Sequence, residues 1–435
     1  MDVIHDQKKM KTVQERIRDF EQHQYDERLM ELYGDKERLE NERARYIGAL
    51  KMYESLYGDE PVRIYSAAGR SEVSGNHTDH QHGRVLAASI TLDTIAIAAR
   101  TEDGMIKVVS DDFDIVPVDV TDTVQNEPEE SSASLIRGVV QGFKNEGLDT
   151  DGFHAYMTSE VIVGAGLSSS ASFEVLVGTI LSYEYNEGRV PMVDIARIAQ
   201  YAENVYFGKP CGLMDQCACA IGGLITIDFK DPSCPLVKKV NTDFDAFGLS
   251  LCIVDTKGSH ADLTHEYAAV PAEMKAVADY FGKEVLRDVE ADEFYENLAA
   301  IRNRTGDRAI LRAMHFFAEN ERVAQIVEAL ENKDKQGFEY GIVASGNSSY
   351  KYLQNVFAAS DPQHQAVSIG LALSERILKD HGVCRVHGGG FAGTIQAFVD
   401  NDYVSDYKEK IEQVFGEGTC HVLKIRPEGG TLVLG

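Results

Sequence analysis

The residues best suited to chemistry lie in segment 164–172, which reads GAGLSSSAS. The segment follows an apolar, β-branched run that predicts a strand, and it precedes apolar residues at helical spacing from 173 to 181. Its glycines would let a ligand approach the backbone, and the N–H groups at a helix N-terminus favour an anion. One serine could be an ordinary helix cap, but three consecutive serines exceed that need. The segment therefore predicts a phosphate site, although the chain contains no Walker A motif.

Segment 69–83 combines an aspartate with three histidines within residues 77–82. If this loop holds a metal, His77, His80 and His82 are the natural ligands. The same residue types suit a polyhydroxylated ligand, because a carboxylate accepts from two hydroxyls and an imidazole donates or accepts. An ordinary polar surface loop is the third interpretation. These residues alone leave all three open.

Segment 202–216 brings two carboxylates into neighbouring elements. Glu203 lies near the end of a helix that we expect to stop at Gly208, and Asp215 follows in a glycine-containing turn. One carboxylate could hold a divalent cation while the other meets a substrate hydroxyl. Considered alone, however, these are two acidic residues among the 70 in the chain.

Segment 385–394 reads RVHGGGFAGT, and its glycines match the spacing of the dinucleotide-binding fingerprint. A helix should follow that fingerprint, whereas residues 394–399 predict a strand, and too little chain remains for a βαβ unit. The segment therefore predicts a glycine-rich turn between two strands, with its backbone close to a ligand or to another loop.

The elements that must position these segments fall into two parts of the chain that differ in composition and in predicted secondary structure. Residues 12–57 are strongly charged, and their apolar positions recur at helical spacing without holding a heptad. We therefore expect helices that pack on the parent domain, in preference to a coiled coil that binds a partner. From Pro61 onward, strands come in pairs between helices, which favours a two-lobed α+β protein over a doubly wound parallel sheet. A chain of 435 residues suits two hydrophobic cores.

Composition excludes several classes of protein. The formal net charge of −27 argues against nucleic acid or an anionic membrane surface as a partner. No secretory leader is recognisable and no apolar run is long enough to span a bilayer, so we expect a cytoplasmic protein. The seven cysteines lack regular spacing, which predicts reduced thiols. Cys211, Cys217 and Cys219 raise the alternative of zinc, but no second pair of ligands completes a tetrahedral set.

Taken together and in this order, the four segments resemble the GHMP superfamily of small-molecule kinases. Segment 164–172 is similar to the second, ATP-phosphate motif of that superfamily, and 388–393 is similar to the third. Segments 69–79 and 211–216 resemble the galactokinase signatures, and 256–267 resembles the galactokinase segment that ends in a sugar-contacting tyrosine. The likeness extends from about residue 45 to the end of the chain.

The resemblance implies an α+β, two-lobed GHMP kinase fold with the active site in the cleft. The N-terminal lobe would be ribosomal-protein-S5-domain-2-like, and the C-terminal lobe would be ferredoxin-like. We expect an N-terminal helical extension over residues 1–45. The N-terminal lobe, with the ATP-phosphate loop and the sugar site, would follow over 46–240, and the C-terminal lobe over 241–435.

The resemblance also implies ATP-dependent phosphorylation of a galactose-type sugar at its anomeric hydroxyl, with Mg²⁺ as cofactor. Asp215 matches the catalytic aspartate and Arg70 the arginine beside it, which is consistent with a carboxylate that takes the hydroxyl proton and a guanidinium that keeps it ionised. The positions that match sugar contacts are Asn76, His77, Asp79, Gly212 and Tyr267. Those that match ATP contacts are Gly164, Gly166, Leu167, Ser168, Ser169, Ser170, Gly389 and Gly390. Ser170 and Glu203 match the magnesium ligands.

The chain departs from the galactokinase pattern mainly around the sugar. Asn76 stands where galactokinases usually carry glutamate, and His80 stands where they carry tyrosine. Other departures are Ser259 in place of arginine, and Ala392 and Thr394 in place of glycine and cysteine. Without a negative charge at position 76, a C6 carboxylate becomes tolerable, and segment 77–81 is also similar to plant galacturonate kinases. An asparagine could equally bind a 6-hydroxyl.

Three functions therefore remain in order of preference. Galactose is the expected substrate, and galacturonate or another galactose derivative is the alternative. A non-catalytic sugar sensor, as found among fungal relatives of galactokinase, comes third, because segment 168–171 is complete and Asp215 is retained.

Overall fold

The computed structural model describes residues 10–111, 115–125, 127–162, 166–209, 211–242, 244–258 and 263–435. The strands are β1 (Arg63–Ser74), β2 (Arg84–Arg100), β3 (Met105–Ser110), β4 (Val118–Asp119), β5 (Phe153–Ser159), β6 (Leu224–Asp228), β7 (Leu236–Lys239), β8 (Leu249–Asp255), β9 (Gly382–Val386), β10 (Thr394–Asp400), β11 (Cys420–Leu423) and β12 (Thr431–Leu434). The α-helices are α1 (Val13–Glu21), α2 (Asp26–Tyr33), α3 (Leu39–Tyr57), α4 (Ser132–Asn145), α5 (Ser169–Tyr185), α6 (Met192–Tyr201), α7 (Met214–Ile221), α8 (Thr264–Tyr280), α9 (Ala291–Glu296), α10 (Leu298–Thr305), α11 (Asp307–Glu331), α12 (Lys335–Ser348), α13 (Ala366–Leu378) and α14 (Val404–Phe415). Short 3₁₀ turns lie at Asp79–Gln81, Phe244–Phe247 and Leu286–Asp288, and π-helical turns lie at Ala202–Phe207 and Ser349–Leu353.

The N-terminal lobe is built on a sheet with the strand order β12-β1-β2-β5-β3-β4, in which β6 also pairs with β2, and β7 with β6. Successive residues of a strand point to opposite faces, so the neighbours Ile64 and Tyr65 of β1 enter two different cores. Helices α4–α7 cover the face of Tyr65, and α1–α3 cover the face of Ile64. The sheet is therefore buried on both sides.

The N-terminal helices pack on the parent lobe, as the sequence favoured over a coiled coil. Phe20 stacks on Tyr46 with 5.4 Å between the ring centroids, and both rings belong to the core beneath the sheet. Helix α3 continues through residue 45, where we expected the extension to end. We propose instead that the extension ends at Gly58, the residue that follows α3 in a positive-φ conformation.

The C-terminal lobe is built on an antiparallel sheet with the strand order β11-β8-β10-β9. In chain order this is 4-1-3-2, the arrangement of a ferredoxin-like β-α-β-β-α-β unit. Helices α13 and α14 pack on this sheet. Helices α8–α11, which lie between β8 and β9 in the sequence, form a separate core. The chain then returns to the first sheet through β12, which pairs with β1. We assigned residues 431–434 to the C-terminal lobe, and we propose instead that they belong to the N-terminal one.

This architecture confirms the two-lobed α+β fold. It also determines where the four segments meet, because the part of β1 around Arg70, the N-termini of α5 and α7, and the turn between β9 and β10 lie in the same region of the molecule, as the contacts below show. None of the described helices has the length and apolar character needed to cross a membrane.

Candidate active site

Strand β1 carries Arg70 against the first turn of α7, where Asp215 lies. Nε and Nη2 of Arg70 each donate to one carboxylate oxygen of Asp215 at 2.8 Å, the bidentate arrangement that gives strong charge-assisted hydrogen bonds. The third guanidinium nitrogen, Nη1, donates to the carbonyl oxygen of Gly166. Arg70 is buried, whereas the Asp215 side chain is 28% exposed. The carboxylate is therefore held firmly and can still be reached.

The surroundings of Asp215 keep it ionised. Burial alone would raise the pKa of this carboxyl, but the charge and hydrogen bonds of Arg70, together with the hydroxyl of Ser168, hold the pKa below its usual value. At neutral pH the carboxylate is thus an acceptor, ready for the hydrogen of a hydroxyl group.

Ser168 shows why the serines of this segment exceed the needs of a helix cap. It occupies the N-cap position of α5 with a φ of +58°, in the left-handed region that residues other than glycine rarely adopt. Its side chain does not cap the helix; its hydroxyl donates instead to Oδ2 of Asp215. The phosphate segment and the carboxylate are therefore in direct contact.

Ser170 and Glu203 also meet. Ser170 lies in the first turn of α5 and donates to Oε1 of Glu203 at 3.0 Å. Glu203 lies in the π-helical turn Ala202–Phe207 and is buried. Its Oε1 also lies 2.9 Å from Nζ of Lys209, and its Oε2 accepts from the amide of Gln216 at 2.7 Å.

The donor set at Ser170 and Glu203 fits Mg²⁺. Both groups offer oxygen, and magnesium is usually bound through one or two protein oxygens completed by substrate phosphates and water. In the described part of the chain, no cluster of three or more histidine, cysteine or acidic side chains could hold a metal by itself. The alternative sites at the histidines of 77–82 and the cysteines of 211–219 therefore receive no support.

The glycine-rich turn between β9 and β10 is confirmed, and a strand follows it instead of the helix that a dinucleotide fingerprint requires. A side chain at Gly389 would come within 2.7 Å of the Tyr267 ring, and one at Gly390 would collide with the carbonyl of Asn355. Gly166 lies on the ring of His387, which precedes the turn, since a Cβ there would be 3.5 Å from that ring. The second and third motifs thus face each other.

The candidate sugar loop between β1 and β2 contacts the same turn. His77 lies with Nε2 3.0 Å from the carbonyl oxygen of Gly389, and the Tyr267 hydroxyl donates to the carbonyl of Gly390 at 2.8 Å. Asp79 packs directly on Gly212, where an added Cβ would be 2.5 Å from Oδ2. His77, Asp79 and Gly212 line a cavity of about 540 Å³.

Asn76 is placed differently from the other candidate sugar contacts. Its side chain is fully buried and does not line that cavity. The amide nitrogen donates to Glu72 at 3.0 Å and to the carbonyl of Gly388 at 2.6 Å. The amide oxygen accepts from Asn355 at 2.8 Å and from Ser349 at 3.2 Å. A sugar hydroxyl could reach this amide only by replacing one of these partners, so the structure does not bring Asn76 to the open site.

The remaining expected ATP contacts lie near these groups, with one exception. Leu167 is buried in the core, and its carbonyl accepts from the backbone N–H of Arg70 at 3.1 Å. Ser169 begins α5 and lines a second cavity beside Ser170. Gly164 lies outside the described residues, and so does Ser259.

That second cavity had no sequence signal, because its lining comes from several separate elements. Its volume is about 170 Å³, and it is mainly apolar. The apolar lining residues are Leu135, Met157, Val161, Phe173 and Phe207, and the hydroxyl-bearing ones are Thr94, Ser110, Ser132, Ser159, Ser169 and Ser170. Sequence reasoning also missed the roles of Lys209 and Gln216, although both lie in the segment it singled out.

The geometry, a phosphate segment beside a paired carboxylate in a two-lobed fold, defines a small-molecule kinase of the GHMP type, and comparisons with known proteins agree. Residues 134–223 match the GHMP kinases N terminal domain, and residues 51–100 match the galactokinase galactose-binding signature. A galactokinase of Streptomyces coelicolor is 32% identical over 370 residues, which span 83% of this chain and 91% of that protein. A galactokinase of Glaesserella parasuis is 29% identical over 375 residues, spanning 84% and 93%.

Solved structures extend the likeness to the fold. The crystal structure of Lactococcus lactis galactokinase complexed with galactose superimposes with a TM-score of 0.73 and 26% identity, covering 88% of this chain and 98% of that one. A mevalonate kinase with 14% identity matches at a TM-score of 0.60 and shows the shared fold alone. The chain therefore belongs to the galactokinase family of GHMP kinases.

Proposed function

We propose that this protein transfers the γ-phosphate of ATP to the anomeric hydroxyl of galactose. The observation that carries the proposal is the set of contacts that joins the phosphate segment to the paired carboxylate. Arg70 joins Gly166 to Asp215, and Ser168 also donates to Asp215. The loop that follows β1 lies within the galactose-binding signature, residues 51–100.

ATP would bind across the second and third motifs. The backbone N–H groups from Gly166 to Ser170, at the N-terminus of α5, suit the phosphates, and Gly389 and Gly390 would approach them from the other side. The apolar cavity beside Ser170 has the character of a base site, with Phe173 and Phe207 in its lining and serine hydroxyls for the polar edge.

Ser170 and Glu203 would hold Mg²⁺ together with the phosphates. When bound there, the metal supplies positive charge that offsets the phosphate oxygens during transfer.

Asp215 would accept the proton of the anomeric hydroxyl. As the hydroxyl oxygen forms its bond to the γ-phosphorus, the bond from that phosphorus to the β–γ bridging oxygen breaks, and ADP leaves with the electron pair. Such transfers depend mainly on positioning and electrostatics. Arg70 therefore contributes by fixing Asp215 in its ionised form and by adding positive charge beside the transferred group.

Galactose is preferred over galacturonate because of the lining of the larger cavity. Among the residues that the structure describes, that lining contains the acidic Asp79 and no arginine or lysine. His80, which also lines it, is neutral at physiological pH, because burial lowers its pKa to about 4. A carboxylate sugar would meet a negative charge there without a compensating positive one.

Steady-state kinetics on galactose, galacturonate, N-acetylgalactosamine and arabinose test the proposal. We expect the highest kcat/KM with galactose. A kcat/KM for galacturonate that exceeds the value for galactose would replace the sugar but keep the reaction. If the protein released no ADP with any of these sugars, the result would contradict the kinase function and favour a sugar sensor.

A further inference from the structure

Lys209 places a positive charge at the position assigned above to the metal. Its Nζ lies 2.9 Å from Oε1 of Glu203, the same oxygen that accepts the Ser170 hydroxyl at 3.0 Å. The Lys209 ammonium therefore contacts the oxygen atom at which Ser170 and Glu203, the proposed magnesium ligands, meet.

The backbone sets this position. The π-helical turn that carries Glu203 ends at Gly208, which has a φ of +86°. The backbone N–H groups of Gly208 and Lys209 both donate to the carbonyl oxygen of Glu203, at 3.0 and 3.1 Å. The backbone of Lys209 is thus held next to that of Glu203, and this places the lysine side chain beside the Glu203 carboxylate.

The ammonium compensates a buried charge. Glu203 is 2% exposed, and its other oxygen accepts from the uncharged amide of Gln216. Among the described residues, Lys209 is the cation that pairs with this carboxylate, and the negative charge of Asp215 also acts on it. The Lys209 side chain is itself 61% exposed, and lysine has a flexible four-carbon stem, so it has room to move.

We propose that the Lys209 ammonium pairs with the Glu203 carboxylate before the metal–nucleotide complex binds and that the side chain then moves to pair with the ATP phosphates. An ammonium and a divalent cation repel each other at contact distance, so both cannot bind Oε1 together. The arriving triphosphate supplies new negative charge, and lysine is well suited to bind phosphate as a point charge. This inference rests on the proposed function and makes Lys209 a positioning and phosphate-binding residue of the same site.

Replacement of the lysine by an uncharged side chain of similar length tests the idea. Lys209→Met removes the competitor for Glu203, so Mn²⁺ alone, titrated without nucleotide by water-proton relaxation, should bind about two- to five-fold more tightly, the range expected for an exposed ion pair. The same variant should lose about tenfold in kcat/KM for ATP through the missing charged phosphate contact. The KM for the sugar should stay unchanged.

Two variants serve as controls. Lys209→Arg keeps the charge and should follow the wild type in both measurements. Lys410→Met removes an ammonium from a surface pair with Asp406 on α14 and should change neither.

An unchanged Mn²⁺ affinity or an unchanged kcat/KM for ATP in Lys209→Met would overturn the proposal. Weaker Mn²⁺ binding would overturn it as well, because a variant with a damaged fold would lose both Mn²⁺ affinity and kcat/KM for ATP. If the wild type released no ADP with any sugar, the proposed function would fail instead. The metal titration does not depend on turnover and would still report on Lys209.

Discussion

Two of the carboxylates that pair with arginine, Asp215 and Asp93, differ in their surroundings, and of these two only Asp215 lies at the proposed active site. Asp215 accepts from Arg70 and Ser168 at the end of the phosphate segment. Asp93, on β2 beneath the N-terminal helices, accepts from Arg45 and Arg426 at 2.6 Å each. In both cases burial would raise the pKa of the carboxyl, and the guanidinium groups more than offset it. The pKa of Asp215 falls below its usual value and that of Asp93 falls to about 2.

The two carboxylates differ in their solvent exposure and in the number of further hydrogen bonds that they can accept. The Asp215 side chain is 28% exposed and has one arginine. Asp93 is fully buried between two arginines, and it also accepts from Tyr33 at 2.8 Å and from Ser66. A perturbed pKa therefore does not identify an active site by itself, since structural ion-pair networks produce the same shift. Our proposal for Asp215 therefore rests on its exposed fraction and on its contact with the phosphate segment.

Removal of the charge at Asp215 should have the largest effect on activity. Asp215→Asn keeps the size of the side chain but cannot take a proton, so we expect kcat to fall by about 10²- to 10⁴-fold. The unfolding midpoint in urea should fall less than in Asp93→Asn, because the Asp215 side chain is partly exposed and Arg70 keeps its hydrogen bond to Gly166. Turnover close to that of the wild type would remove Asp215 from the mechanism.

The matched substitution Asp93→Asn should have the opposite pattern. It leaves the fully buried Arg426 without its carboxylate partner and removes one of the partners of Arg45, whose side chain is 11% exposed. Breaking a buried ion pair in this way typically costs about 3–5 kcal/mol of folding free energy. Urea unfolding measures that loss, and kcat per folded molecule should stay within about twofold. A normal stability would show that the Asp93 cluster contributes nothing to the fold.

The pH dependence of folding stability in the wild type and in Asp93→Asn sharpens the comparison. The folded pKa of Asp93, about 2, lies below the ordinary value of 3.8, so its contribution is complete above about pH 4 and is lost as the pH falls through 2. The stability difference between wild type and Asp93→Asn should therefore shrink below about pH 4. A difference that stays constant down to pH 2.5 would contradict the role assigned to this charge.

Asn76 extends the comparison to an uncharged group. Because all its polar side-chain atoms are engaged inside the protein, it should behave like Asp93 and not like a sugar contact. Asn76→Asp brings a carboxylate within reach of Glu72 and of the Gly388 carbonyl, and we expect a loss of about 1–3 kcal/mol in stability.

The same variant separates the two roles of Asn76 kinetically. If the residue only holds the loop, kcat/KM should fall by the same factor for galactose and for 6-deoxygalactose. If the ratio between the two sugars changed, the side chain would touch the 6-hydroxyl, and the sugar preference would return to position 76.

Much of the site could be predicted from the sequence, because each motif is short and carries its own constraint. The glycines at 388–393 and the serines at 168–170 have few other uses, and their order along the chain matched one family. Sequence could not show that Asn76 turns inward, since its partners Ser349 and Asn355 come more than 270 residues later. The same limit applies to the apolar cavity beside Ser170, whose lining is assembled only by the fold.

Element boundaries show a similar division. The turn between β9 and β10 was predictable from a glycine run followed by a strand pattern. The extent of α3 and the return of β12 to the first sheet were not, because both depend on packing against a sheet that a local pattern does not reveal.

Phosphorus NMR of the reaction mixture tests the central claim most directly. Wild-type protein with galactose, ATP and Mg²⁺ should convert ATP to ADP while one sugar phosphate forms, with the phosphate on the anomeric oxygen and one equivalent of ADP per product. Asp215→Asn at the same concentration should leave both signals unformed over the same period. ADP without a sugar phosphate, phosphate on another hydroxyl, or no sugar-dependent reaction at all would contradict the account.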